Sequence, residues 1–241
     1  MALTNPRTVH HQGRERAQVV LGIPMSMLSI YFAGPDLFDR GRWPGHTAEI
    51  RRICASLHVD PVFPVADTPI SGLGVDKPGS SRDASAIRDA CLRAIDRVDG
   101  VIVNLTPFRG AEPDSGSVVE ATYAVFVKGL PTVGYIDWSD PRVDVHEMYG
   151  PDGKPLADDD GVHIDRHGRV IEQFGLPINL MIATSVHALI EGHATREPLL
   201  HRAIEAVRAL TLGQAPDRAL DDIDAIAAAG SATDTTRLRA F

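Results

Sequence analysis

Two acidic residues, Asp114 and Glu120, lie six positions apart in a stretch whose pattern predicts a strand, a loop and a helix. The apolar run 101–105 is typical of a strand covered on both faces, and residues 115–128 have helical spacing. In parallel α/β sheets, ligands bind at the loops that follow the carboxyl ends of the strands. Two carboxylates placed there could orient a sugar and attack its anomeric carbon, forming a covalent glycosyl–enzyme intermediate.

Each acid also has a simpler interpretation. Glu120 could be an exposed helix residue near the positive end of the helix dipole. Asp114 precedes Ser115 and Gly116 and could be an ordinary helix N-cap. For either residue taken alone, the structural role is the favoured interpretation. The chemical interpretation therefore depends on the residues around them.

The segments around this stretch alternate between strand-like and helix-like patterns. We predict strands at 28–33, 59–64, 101–105 and 132–136, and helices at 45–57, 83–98, 115–128, 197–210 and 217–229, with a further helix opening at 177–181. This alternation favours an α/β fold, namely a doubly wound, mostly parallel sheet of the flavodoxin or Rossmann type with helices on both faces.

The first predicted strand runs directly into Gly34, which permits close approach of the backbone. We therefore include Gly34 among the candidate substrate-binding residues. No G-x-G-x-x-G pattern follows a predicted strand, which argues against a dinucleotide-binding domain.

The length of 241 residues fits one α/β domain with additions. We predict a flexible N-terminal tail over 1–27, the domain itself over 28–212, and a helical C-terminal tail over 213–241. Within the domain, 140–175 reads as an irregular insertion with a hairpin near 162–171, which would form a lid or a subunit contact.

Composition narrows the classes of partner. The net charge is −8 without a basic block, which argues against binding a nucleic acid polymer. The 10 His residues lack metal-ligand spacing, so neither a metal nor another cofactor is expected. No stretch approaches the roughly 18 apolar residues of a membrane span. Cys54 and Cys91 read as reduced thiols, and we expect a cytoplasmic protein.

Three motifs occur in the order found in a known family. They are IYFAGPDLF at 30–38, DGVIVNLTPFRGAEPDSGSVVEATYA at 99–124 and LPINLM at 176–181. Together they resemble the nucleoside 2-deoxyribosyltransferase family. The resemblance implies an enzyme that exchanges nucleobases between 2′-deoxyribonucleosides, with nucleosides and free bases as partners.

The resemblance also implies roles for single residues. Glu120 falls on the family's nucleophile, and Tyr31 would orient it by a hydrogen bond. Asp114 would accept a hydrogen bond from the sugar hydroxyls near C5′, and its charge would repel a 5′-phosphate. Asn179 would donate to the sugar from an adjacent subunit, with Met181 packed nearby, which implies a homo-oligomer with shared sites.

Cys91 departs from the family pattern, because many members carry Asp or Asn there, acting near the base. A thiol is a weak donor and a poor acid at its usual pKa of about 8.5. Asp89 is two residues away, about 200° around a helix, and should point elsewhere. The proton for the leaving base could come from water or from Asp89 after a local shift. Alternatively, the enzyme could use only purines, which leave more readily.

Two other functions remain open at this stage. A hydrolase on the same scaffold would release the base to water, whereas a non-catalytic module would bind nucleotides without turnover. The joint presence of Tyr31, Asp114, Glu120 and Asn179 argues against the second of these.

Overall fold

The computed structural model describes residues 27–39, 41–64, 81–140, 143, 156–193, 195–214 and 237–240. Its main sheet has six strands in the order β2-β1-β3-β4-β7-β8, and a small second sheet pairs β5 with β6. The strands are β1 Leu28–Ala33, β2 Val59–Val62, β3 Gly100–Asn104, β4 Thr132–Asp137, β5 Leu156–Ala157, β6 His163–Ile164, β7 Ala188–Gly192 and β8 Arg237–Ala240.

Five strands of the main sheet are parallel, which confirms the predicted doubly wound α/β fold. Strand β1 lies between β2 and β3, so the chain first extends the sheet in one direction and then in the other. Such a reversal opens a crevice at the carboxyl ends of the two strands concerned, here β1 and β3. In the register of this pair, Tyr31 lies opposite Val101 and Ala33 lies opposite Val103.

Helices cover both faces of the sheet. One face packs against the first and last helices, and the other packs against the three between them, so each face has its own buried apolar cluster. The helices are α1 Trp43–Ser56, α2 Ser81–Ile95, α3 Ser115–Thr122, α4 Leu180–Ala183 and α5 Arg196–Thr211. None of the helices in the described ranges is long and apolar enough to cross a membrane.

The helix that follows β3 differs from the single helix predicted over 115–128. The α-helical part ends at Thr122 and continues as a π-helical turn, Tyr123–Val127, before Gly129 takes a φ of 63°. Within this turn Ala124 is buried, whereas Phe126 and Val127 are 68% and 66% exposed. The turn therefore presents apolar side chains to the surface.

Two strands of the main sheet were not predicted. Strand β7 completes the parallel set, and β8 adds an antiparallel edge to it. The predicted helical C-terminal tail is therefore wrong at its end, because 237–240 form a strand; the helix predicted at 217–229 lies outside the described residues. The N-terminal tail up to residue 26 also lies outside them.

Of the insertion predicted over 140–175, the structure describes residues 140, 143 and 156–175. Strands β5 and β6 form an antiparallel pair, and an isolated bridge joins Ile164 to Val170. The hairpin expected near 162–171 is thus present, and its turn is closed by the Asp165 N–H bonded to the Arg169 carbonyl at 2.8 Å.

Candidate active site

Tyr31 and Glu120 meet beside the crevice between β1 and β3. The Tyr31 hydroxyl donates a hydrogen bond of 2.8 Å to Oε1 of Glu120. Tyr31 points from β1 into the cluster below α2 and α3 and is fully buried. Glu120 lies on the second turn of α3 and is half-buried. The first strand and the helix after the third strand therefore supply one polar pair.

The surroundings of this pair alter both ionisation equilibria. Burial raises the pKa of Glu120 to about 7, and the nearby charge of Asp114 adds to the rise, while hydrogen bonds from Tyr31 and Cys91 oppose it. Burial and the carboxylate of Glu120 raise the pKa of Tyr31 far above its ordinary value, so the phenol stays a neutral donor. Glu120 can thus change protonation state near neutral pH, as a nucleophile or an acid–base group requires.

Asp114 is the N-cap of α3, as its simpler interpretation predicted. Its Oδ2 accepts two hydrogen bonds of 2.9 Å from Ser117, one from the backbone N–H and one from the hydroxyl. Its charge also contributes to the raised pKa of Glu120, which lies six residues further along the same helix. A capping role and a ligand-binding role are compatible, because a carboxylate has several acceptor positions.

Cys91 lies on α2 against the same pair. Its thiol donates a hydrogen bond of 3.6 Å to the Pro64 carbonyl and lies close enough to Tyr31 and Glu120 to interact with both. Burial raises the pKa of Cys91 to about 11, so the thiol stays protonated. Asp89 instead forms an exposed ion pair with Arg88 at 2.6 Å, pointing away as the helical rotation predicted.

Gly34 permits a close approach between the ends of the two central strands. A Cβ atom at this position would lie 2.7 Å from Cβ of Asn104, closer than side chains tolerate. Any larger residue at 34 would therefore push apart the loops that follow β1 and β3.

Asn179 and Met181 lie at the start of α4. Asn179 caps α4 by accepting the Met181 N–H at 3.0 Å, and its amide donates to Glu172 at 3.0 Å. Met181 is 68% exposed. Asn179 lines a cavity of about 470 Å³, whose lining among the described residues does not include Tyr31 or Glu120. Within one chain Tyr31 contacts Glu120, whereas the described hydrogen bonds of Asn179 are with Glu172 and Met181.

A second polar group, on the opposite face of the sheet, was missed by the sequence analysis. Asp36, directly after β1, forms a buried ion pair with Arg196 and accepts a hydrogen bond from Asn104. Asn104 could have been noticed as the polar end of an apolar strand. Arg196 gives no local signal, since it is an ordinary helix-start residue 160 positions from its partner.

The part of the chain that the structure describes contains no group of three or more His, Cys, Asp or Glu side chains that could hold a metal ion.

Comparisons with known proteins converge on one family. The profile described as Nucleoside 2-deoxyribosyltransferase matches residues 30–181. Among solved structures, the 2-desoxiribosyltransferase from Leishmania mexicana is 28% identical, with 64% of this chain and 85% of that chain covered and a TM-score of 0.45. The 2-deoxyribosyltransferase from Bacillus psychrosaccharolyticus is 16% identical, with 67% and 84% covered and a TM-score of 0.38. No curated protein matches the chain.

Replacing Glu120 by Gln should change how stability depends on pH. Because the pKa of Glu120 is raised from 4.5 to about 7, the stability linked to its protonated form is fully present below pH 4.5 and is lost as the pH rises through 7. Glu120→Gln should therefore be more stable than wild type at pH 8, with a Tm advantage on the order of 3 °C that shrinks toward pH 4.5. Thermal unfolding at pH 4.5, 6, 7 and 8 measures this. An advantage that is constant with pH would contradict the raised pKa.

Proposed function

The chain belongs to the nucleoside 2-deoxyribosyltransferase family, and we propose that it transfers the 2-deoxyribosyl group between nucleobases of free 2′-deoxyribonucleosides. The observation that carries the proposal is the half-buried Glu120 carboxyl, held by the hydroxyl of Tyr31 at the crevice where α/β sheets bind ligands.

In the proposed first step, the Glu120 carboxylate attacks C1′ of the deoxyribose and the bond from C1′ to the base nitrogen breaks. The base departs with the bonding electron pair and takes up a proton, while C1′ and Glu120 become joined by an ester. A ring nitrogen of a second base then attacks C1′, the bond from C1′ to the Glu120 oxygen breaks, and the carboxylate is restored while the proton of that nitrogen returns to water. The hydrogen bond from Tyr31 fixes the orientation of the carboxylate before attack.

The proton for the leaving base comes from water in this proposal. With a pKa raised to about 11, Cys91 is a poor acid at neutral pH. Asp89 is exposed and paired with Arg88, so it cannot serve without a shift of α2. Cys91 instead remains a neutral thiol beside the Glu120 carboxylate, with its S–H donated to the Pro64 carbonyl.

We assign Asp114 to the sugar hydroxyls near C5′. Its position at the start of α3, close enough to Glu120 for their charges to interact, supports this assignment. A carboxylate there repels the phosphate of a nucleotide, which makes free nucleosides the preferred substrates.

We assign Asn179 to the site of a neighbouring subunit. Within one chain its described hydrogen bonds are with Glu172 and Met181 and not with Tyr31 or Glu120, which supports a contribution in trans. Helix α4 and the π-helical turn after α3 lie on the same face of the sheet and leave Met181, Phe126 and Val127 about two-thirds exposed. Exposed apolar side chains of this kind suit an interface between subunits.

Replacement of Glu120 by Ala should abolish base exchange, because no nucleophile remains to form the ester. We expect a loss of at least about 10³-fold in kcat. Deoxyinosine or thymidine is incubated with adenine, and both the new nucleoside and the released base are quantified. Glu205→Ala, on an exposed part of α5, is the matched control and should exchange at the wild-type rate.

The same assay separates transfer from hydrolysis. Release of free deoxyribose by the wild type at a rate independent of added adenine would identify a hydrolase instead. Exchange by Glu120→Ala at the wild-type rate would refute the proposed nucleophile.

Replacement of Asp114 by Ser should shift the substrate preference toward nucleotides. Serine retains the helix cap and removes the negative charge. We expect the ratio of kcat/KM for a 2′-deoxynucleoside 5′-monophosphate to that for the nucleoside to rise about tenfold. Ser117→Ala keeps Asp114 but removes one of its hydrogen bonds, and serves as the control. An unchanged ratio in the Asp114→Ser variant would place the 5′ end of the sugar elsewhere.

Two impaired variants should complement each other if Asn179 acts in trans. Glu120→Ala and Asn179→Ala, each with little activity alone, are co-expressed. Random assembly gives about a quarter of the sites both wild-type contributors, so the mixture should recover about a quarter of the wild-type activity. Failure to recover activity, or full activity in a monomer measured by light scattering, would contradict the shared site.

A further inference from the structure

A buried ion pair links the start of α5 to the loop after β1. The two guanidinium nitrogens of Arg196 donate to the two carboxylate oxygens of Asp36, at 2.9 Å and 3.0 Å. Their side chains are only 13% and 7% exposed. Paired donors and acceptors of this kind fix direction as well as distance, so the pair constrains where Asp36 can lie.

Hydrogen bonds continue from this pair into the loop that leads to Asp114. Asn104, at the end of β3, donates its amide to Oδ2 of Asp36 at 3.0 Å. Its carbonyl oxygen accepts the N–H of Thr106 at 3.0 Å, and the Thr106 hydroxyl accepts the N–H of Asp137 at 2.9 Å. Thr106, the second residue after β3, is therefore held by a buried chain of polar contacts.

The two loops that border the crevice also touch each other. The rings of Phe38, after β1, and Phe108, after β3, are stacked with centroids 5.7 Å apart. The guanidinium of Arg109 lies over both rings, at 5.4 Å and 4.7 Å from their centroids. Arg109 adopts a φ of 55°, a left-handed conformation that non-glycine residues take only when their surroundings hold them there.

The charges around the pair keep it ionised. Although burial opposes ionisation of Asp36, hydrogen bonds from His46 and Arg196 hold its pKa well below the ordinary value. His46 Nδ1 is 3.3 Å from Asp36 and from Arg196, and Glu49 lies 3.9 Å from Nε of Arg196. A permanently charged pair does not exchange protons with a substrate, so its contribution is to orientation.

Stability alone is a weak reason for such a pair. Replacing a buried ion pair by apolar residues of similar size is often neutral or stabilising. The Nε of Arg196 is also buried without a hydrogen-bond partner among the described residues, which adds a cost.

We propose that Asp36 and Arg196 are positioning residues that clamp the loops after β1 and β3 in the arrangement needed for deoxyribosyl transfer at Glu120. The inference rests on the proposed function for its consequence in catalysis, whereas its consequence for the loops can be measured separately.

The test removes the clamp without leaving a buried charge. In Asp36→Leu/Arg196→Met we expect a Tm within about 5 °C of wild type. Base exchange should fall at least about tenfold in kcat, and tryptic cleavage after Arg109, identified by mass spectrometry, should become at least about fivefold faster. If the pair had only a structural role, its removal would lower Tm without selectively accelerating cleavage after Arg109.

The matched control removes an exposed ion pair that also starts from the first turn of α5 but joins it to α1. Arg52 and Glu197 are 2.7 Å apart on α1 and α5, and their side chains are 60% and 54% exposed. Arg52→Gln/Glu197→Gln should leave both exchange and cleavage after Arg109 at wild-type rates.

Each result decides the matter. Wild-type exchange or wild-type cleavage in a folded Asp36→Leu/Arg196→Met variant overturns the clamp. Faster cleavage combined with a wild type that exchanges no bases upholds the clamp and refutes the proposed function. Should the double variant fail to fold, Arg196→Lys keeps one charge but loses the paired geometry; intermediate exchange and cleavage would support the clamp, and wild-type values would overturn it.

Discussion

The hydrogen bond from Tyr31 to Glu120 is the interaction on which the candidate site depends. It joins a fully buried strand residue to a helix residue at the edge of the core. Burial alone would favour a neutral carboxyl group, and a neutral carboxyl is a poor nucleophile. The phenol and the thiol of Cys91 counter this by stabilising the charged form, which leaves the pKa of Glu120 at about 7. The site thus balances desolvation, which strengthens a nucleophile, against hydrogen bonding, which keeps it ionised.

The sheet separates two polar groups that have different tasks. Tyr31 and Glu120 lie on the side of α2 and α3, while Asp36 and Arg196 lie on the side of α1 and α5. Successive side chains of a strand point to opposite faces of the sheet. Strand β1 can therefore contribute Tyr31 to one polar group, while the loop after it contributes Asp36 to the other. At the end of β1 the backbone at Gly34 also approaches Asn104 closely, on the side of Asp36.

How far the sequence predicts this structure depends on how local the signal is. Strand β1 was predicted with its observed bounds, because it is a continuous apolar run. Strand β7 was missed because its apolar core is only three residues long before Glu191, an acid that reads as exposed. In the structure Glu191 is 6% exposed and accepts a hydrogen bond from Trp138 at 3.2 Å, a contact across 53 positions.

The same distinction applies to the site. The resemblance of the motif around Glu120 indicated a candidate nucleophile, and the resemblance of the first-strand motif made Tyr31 its candidate partner. The pairing of Asp36 with Arg196 depends instead on how the first and last parts of the domain come together. Helical periodicity, capping and turn signals extend over a few residues and carry no information about such a pair.

The π-helical turn, Tyr123–Val127, has a consequence for how this protein can diverge. A π turn is a local widening of a helix by about one residue, which rotates everything that follows it. The turn begins three residues after Glu120. Insertion or deletion of the extra residue of the turn would therefore change the direction of Phe126 and Val127 while leaving the Glu120 carboxylate in place. The candidate-site carboxylate and the exposed apolar side chains thus lie in successive parts of one helix, and mutation can alter the second part without disturbing the first.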